Sequence, residues 1–181
     1  MLVKNDNKSL DVSVDFNLIF NFKSSFKDLK SAKEDSNFEL IILGEKFGNM
    51  PETFSASIEK LEHRIIHFGY AETMREYGEC LWKADILPVT SIQDFFGISI
   101  MEALYCKCIP VLPVRLTYPH LVPFEKFNNF FYEKDDGLYE KVFDIINNYE
   151  SIDTNPFRKV ASQYDWGKMI IEYDKKFEQI V

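Results

Sequence analysis

Residues 38–43 read FELIIL, an apolar run too short for an ordinary helix and closed by Gly44. A run of that kind suits a strand covered on both faces, and such strands belong to parallel sheets flanked by helices. The rest of the chain repeats the arrangement. Further strands are expected at 16–20 (FNLIF), 64–68 (RIIHF), 85–89, 109–112 and 129–132 (NFFY). Helices are expected at 23–33, 51–61, from 72 or 73 to about 84, 98–106, 138–149, 156–162 and 165–179. Strand and helix alternate six times. The pattern predicts α/β architecture: a single Rossmann-like domain, with a parallel sheet of about six strands and helices on both faces. Residues 1–15 read as a polar lead-in and 16–181 as the domain. The last helix sets Trp166, Ile170, Tyr173 and Phe177 on one stripe. Pro113, Pro119 and Pro123 forbid a long regular element in the loop between them.

In such a sheet a ligand sits beyond the carboxyl ends of the strands. The loops expected to line a site are therefore those after Leu43, Phe68 and Val89. The stretch from Asp94 to Pro113, DFFGISIMEALYCKCIPVLP, joins the third of these to a helix and a buried strand. Asp94 and Glu102 bracket the junction. Gly97 permits close backbone approach, and the first amides of a helix favour an anion. Glu102 stands four residues past Ile98, roughly 6 Å along the axis. One reading puts a diphosphate at the helix start, with Asp94 reaching sugar hydroxyls and Glu102 reaching ribose hydroxyls. Carboxylates suit those hydroxyl-rich ends as acceptors. The other reading makes Asp94 an ordinary helix cap and Glu102 a solvated side chain.

Composition removes several classes. A net charge of −8 argues against a self-sufficient nucleic-acid surface. Three cysteines, Cys80, Cys106 and Cys108, lack paired spacing and read as packing thiols in a reducing cytoplasm, with no metal site and no cofactor implied. No apolar run reaches transmembrane length, and the first residues are too polar for a signal peptide. His67 reads as a hydrogen-bonded strand residue and His120 as a surface-loop residue. Arg115 either reaches a phosphate or pairs with an acid such as Glu125.

LGEKF at 43–47, RIIHFGY at 64–70, WKAD at 82–85, DFFGISIMEALYCKCIPVLPVRLTYPHLVP at 94–123 and YDW at 164–166 resemble the carboxyl-terminal domain of glycosyltransferase family 4, of GT-B fold. Within that family they look most like the tRNA-queuosine alpha-mannosyltransferase branch, through Phe95-Phe96 and the Arg115–Pro119 segment. The resemblance covers roughly residues 38–178. It implies retaining, metal-independent sugar transfer from a nucleotide diphosphate donor such as GDP-mannose, and a tRNA acceptor by branch alone. Carried onto this chain, Asp94 stands where the catalytic-site acid meets the donor sugar. Phe96, Gly97 and Ile98 stand where amides face sugar and diphosphate, Glu102 where an acid holds the ribose, and Tyr70 beside the base. Gly44 and Glu45 belong to the first loop lining the donor, and Lys23 is the candidate cation.

Four departures accompany the resemblance. Such enzymes are built of two domains, and this chain matches the second, so an amino-terminal partner domain is implied. The segment FNFKSSFKDL at 20–29 offers Lys23 for the family's diphosphate-neutralising Lys and no match to its Arg. Asp94 replaces the usual Glu. Lys107 stands where relatives have Gly; if that position is left-handed the replacement costs on the order of 1–2 kcal/mol. The expectation is a donor-binding half of a retaining glycosyltransferase, inactive alone. The alternative is a non-catalytic remnant or interaction module that keeps the fold.

Overall fold

The structure, a computed structural model, describes residues 17–21, 38–44, 52–92 and 94–180. Its strands are β1 (Asn17–Asn21), β2 (Glu39–Leu43), β3 (Ile65–Gly69), β4 (Ile86–Pro88), β5 (Ile109–Pro113) and β6 (Phe131–Tyr132). The helices are α1 (Glu52–Leu61), α2 (Met74–Lys83), α3 (Ile98–Tyr105), α4 (Tyr118–Leu121), α5 (Phe124–Phe127), α6 (Asp135–Asn148), α7 (Asn155–Ala161) and α8 (Trp166–Glu178). The helix expected at 23–33 lies outside the described residues.

The six strands form one sheet in the order β3-β2-β1-β4-β5-β6. β2 pairs in parallel with β3, β4 with β5, and β5 with β6. The layered Rossmann-like fold expected from the sequence is present, and one strand departs from the expected direction. β1 runs antiparallel to both neighbours, with Asn17 opposite Leu43 and Phe20 opposite Leu40 and Ile86. The segment NLIFN reads almost the same in both directions, so nothing in its residues specifies which way it runs. Right-handed crossovers then place α1, which leads outward from β2 to β3, and α3, which leads from β4 to β5, on opposite faces of the sheet. The strand order reverses around β1, between β2 and β4. That is where the sheet opens a crevice at the carboxyl edge.

The core follows the apolar runs. Ile41, Ile86, Leu87, Ile109, Val111 and Leu112 are 0–1% exposed. Each such burial contributes about 1.5–3 kcal/mol relative to exposure. α3 adds Ile100, Ala103 and Leu104, and α7 packs Phe157 onto α3's side of the molecule. Cys80 and Cys108 are buried free thiols. The Cys108 Sγ donates to the carbonyls of Ala84 (3.2 Å) and Leu81 (3.5 Å), tying β5 to the end of α2.

Both ends of the central helices have identifiable stops. At α2 the Thr73 side chain caps the helix by accepting from the Glu76 amide at 3.1 Å. α3 ends in a Schellman turn: the Lys107 amide donates to Leu104 O (2.9 Å) and the Cys108 amide to Ala103 O (3.0 Å). Lys107 sits at φ +73°, in the left-handed conformation considered for this position above.

Three expectations are refined. The proline-rich loop after β5 holds two four-residue helices, α4 and α5, and Pro119 occupies the first turn of α4, where its missing N–H costs nothing. The strand expected at 129–132 is only Phe131–Tyr132, preceded by a 3-10 turn. The stripe on α8 exists but is open: Trp166 is 62% and Phe177 64% exposed, and no residue of α8 is buried. Among the described residues no helix is long and apolar enough to cross a membrane.

Candidate functional site

The loop from β4 to α3 is held by side chains that lie far along the chain. The Tyr132 hydroxyl donates to Val89 O at 2.6 Å. Arg115 donates through Nε to Ser91 O (3.1 Å) and through NH2 to Thr90 O (2.8 Å). Tyr118, with no exposed surface, donates its hydroxyl to Asp94 Oδ2 at 3.0 Å. A buried phenol needs such a partner, since leaving it unbonded would cost on the order of 1–3 kcal/mol. Burial, and then the Asp94 carboxylate, push the Tyr118 pKa well above the usual phenol range. Its proton therefore stays on the bond to Asp94.

The second oxygen of Asp94 folds the loop onto itself. Oδ1 accepts from the amides of Gly97 (2.8 Å) and Phe96 (3.2 Å), the side-chain-to-backbone turn that Asp favours. The amides of Phe96 and Gly97 thus point at Asp94. The first bond of α3 runs from Met101 N to Gly97 O at 3.1 Å, so the amides of Ile98, Ser99 and Ile100 form the helix's unsatisfied end. Gly97 itself is buried at φ +82°. A Cβ there would lie 3.2 Å from Leu121 Cδ1, a tight contact, and the left-handed backbone conformation favours glycine at this position.

One turn further along α3, Glu102 reaches a different environment. It lines a cavity of about 410 Å³ with Leu43 and Gly44 at the end of β2, Tyr70 and Thr73 after β3, and Tyr77 of α2. The Gly44 amide donates to Gly69 O at 3.1 Å, which joins the carboxyl ends of β2 and β3 beneath it. The wall after β3 is fixed by Glu76, whose Oε2 accepts from the Glu72 amide at 2.8 Å and whose Oε1 stands 3.8 Å from His67 Nδ1. Within the cavity the Tyr77 hydroxyl donates to Glu102 Oε2 at 2.7 Å. Burial, and then Glu102, push the Tyr77 pKa well above its ordinary value.

Of the residues singled out from sequence, Gly44, Tyr70 and Glu102 line this one cavity. Asp94 and the backbone of Phe96 and Gly97 form a second cluster around Tyr118, at the amino end of the same helix. Ile98, 63% exposed, opens α3 between the two. Phe95 is fully exposed, and Phe96 packs edge-on against Tyr164 at 5.6 Å between ring centroids. Lys23 and Glu45 lie outside the described residues. His67, through Nε2, pairs with Gly69 O at 3.3 Å, and His120 is exposed on α4. Arg115 anchors the β4–α3 loop through its carbonyls. Among the described residues no group of three His, Cys, Asp or Glu side chains is arranged to hold a metal.

Sequence reasoning missed the two tyrosines that bond to the two acids. Tyr118 stands in the Arg115–Pro119 segment, where the sequence marks a loop residue and gives no sign of its bond to Asp94. Tyr77 stands on the inward face of an ordinary amphipathic helix. Its only signal was a phenol at a position where a plain hydrocarbon would have packed as well.

The chain also matches known proteins. The family model for group 1 glycosyl transferases matches residues 19–156. A tRNA-queuosine alpha-mannosyltransferase of Drosophila melanogaster is 33% identical over 109 residues, 60% of this chain and 28% of that protein. A probable sucrose-phosphate synthase of Thermosipho melanesiensis is 26% identical over 166 residues, 87% of this chain and 37% of that protein. The chain therefore spans roughly a third of the length of these relatives. With the matched span covering most of the sheet and both Asp94 and Glu102, the chain belongs to the group 1 glycosyl transferases.

Proposed function

We propose that this chain is the donor-binding half of a retaining glycosyltransferase and that it holds a nucleoside diphosphate sugar of the GDP-mannose kind. The observation that carries the reading is the position of Glu102. Its side chain lines a cavity beside the carboxyl ends of β2 and β3, one turn from a helix start whose first three amides have no hydrogen-bond partner among the described residues. The hydroxyls of a ribose in the cavity would donate hydrogen bonds to Glu102. The attached diphosphate would then extend toward the amides of residues 98–100, where the helix dipole favours negative charge. Those amides would also stabilise charge developing on the leaving diphosphate, the kind of preorganised contribution on which transfer chemistry depends. The sugar would lie toward Asp94. The acceptor and the remaining catalytic groups belong to a further domain, and a tRNA acceptor follows from the name of one relative.

The test is isothermal titration of the folded chain with GDP, GDP-mannose, UDP and ADP. Binding of GDP and GDP-mannose in preference to the others supports the reading; a folded chain that binds none of them overturns it. A second reading, a fold kept for interaction without chemistry, is favoured by the internal engagement of both Asp94 oxygens. It predicts that same absence of binding.

A further inference from the structure

We infer that Tyr77 is a positioning residue that sets Glu102 to read the ribose hydroxyls, and so makes the cavity discriminate ribose from deoxyribose. The inference rests on the donor-binding reading given above. Three observations carry it. Tyr77 and Glu102 come from different helices, α2 and α3, and both line the same cavity. Their bond, at 2.7 Å from the phenol to Oε2, is short and charge-assisted. The other carboxylate oxygen, Oε1, takes no hydrogen bond from any described residue.

A Glu side chain on a helix has three rotatable bonds, and a lone carboxylate at a cavity mouth turns toward water. Fixing Oε2 removes that freedom and leaves Oε1 as an oriented acceptor. Adjacent 2′ and 3′ hydroxyls are donors of matching chemistry, and a carboxylate retains several lone-pair sites after accepting one phenol. The phenol has one O–H and donates it as a hydrogen bond to Glu102. Tyr77 therefore acts through the acid and makes no hydrogen-bond donation of its own to the ligand. Preorganisation of this kind raises affinity by lowering what must be ordered on binding.

The test compares GDP with 2′,3′-dideoxy-GDP on the wild-type chain, Tyr77→Phe, Glu102→Gln and the double variant. The wild type is expected to favour GDP. Tyr77→Phe should weaken GDP binding by about tenfold, the scale of one hydrogen bond, while leaving the dideoxy analogue unchanged. In the Glu102→Gln background the same Tyr77→Phe change should leave the GDP-to-dideoxy ratio where it was. A Tyr77→Phe chain that keeps the full preference for GDP overturns the proposal while leaving the donor-binding reading intact. A wild-type chain that binds neither nucleotide overturns the donor-binding reading and this proposal with it. Should Tyr77→Phe fail to fold, Tyr77→Leu takes its place in the otherwise wild-type chain: a lowered GDP-to-dideoxy ratio supports the proposal and an unchanged ratio overturns it. Removing both partners leaves no acid without its bond, and a further loss of ribose preference on removing the phenol from the Glu102→Gln chain would overturn the coupling.

Discussion

Tyr118 and Asp94 are joined by a 3.0 Å hydrogen bond that crosses from the helix after β5 to the loop after β4. The phenol is wholly buried, so the bond fixes the acid from beneath. Tyr118→Phe keeps the ring and removes the bond. We expect a loss of about 1–2 kcal/mol in a urea melt, with an unchanged slope. Asp94→Ala should cost at least as much, because it also releases the amides of Phe96 and Gly97.

Gly97→Ala meets two separate penalties, a left-handed backbone and a contact of 3.2 Å to Leu121 Cδ1. The expected destabilisation is about 2 kcal/mol or more, read by thermal or urea melting. Pairing it with Leu121→Ala isolates the steric part. The double variant should be less destabilised than the sum of the singles, while the conformational cost persists.

Lys107→Gly tests the Schellman turn at the end of α3. At φ +73° the lysine carries a conformational cost that glycine lacks. Replacement should stabilise the fold by up to about 1 kcal/mol, reduced by a few tenths for the lost cation near the helix end. A melt that shows Lys107→Gly to be destabilising would contradict the backbone assignment.

The pH dependence has a definite sign. Tyr77, Tyr118 and Tyr149 all have pKa values raised above the ordinary 10.0, first by burial and then by the acids they bond to, Glu102, Asp94 and Asp85. The unfolded phenols ionise first as pH rises. Their contribution is thus fully present below about pH 10 and is lost above it. Burial also raises Cys80, Cys106 and Cys108 above 9.0, so the decline should begin near pH 9. Urea melts from pH 7 to 11 should be flat and then fall. Spectrophotometric titration should show Tyr77, Tyr118 and Tyr149 ionising only as the chain unfolds.

Thiol labelling provides a check on the core. Cys108 is wholly buried and bonded to two carbonyls, whereas Cys106 is half-exposed at the end of α3. A thiol reagent at neutral pH should modify Cys106 first and Cys108 only on unfolding. Early modification of Cys108 would mean that β5 does not pack as described.

Much of the layering was legible in the sequence because burial leaves apolar runs. FELIIL became β2 and IPVLP became β5, and Gly97 marked the start of α3. The direction of β1 was not legible, since strand sense is set by the connection and not by a near-palindromic segment. Side-chain pairing across the chain was equally hidden. Tyr77 and Glu102 stand 25 residues apart, and only the α2–α3 packing brings them together. The stripe on α8 shows the limit of periodicity: it identifies an apolar face and says nothing of whether this chain covers it.

The β4–α3 loop is gripped at Val89, Thr90, Ser91 and Asp94 by side chains that all come from beyond β5. Its backbone at those four residues is thus held by the fold before any ligand arrives. A molecule docking at the start of α3 need not immobilise it. The heat-capacity change of such an encounter should reflect the surface the ligand covers, with little added from coupled folding of this loop.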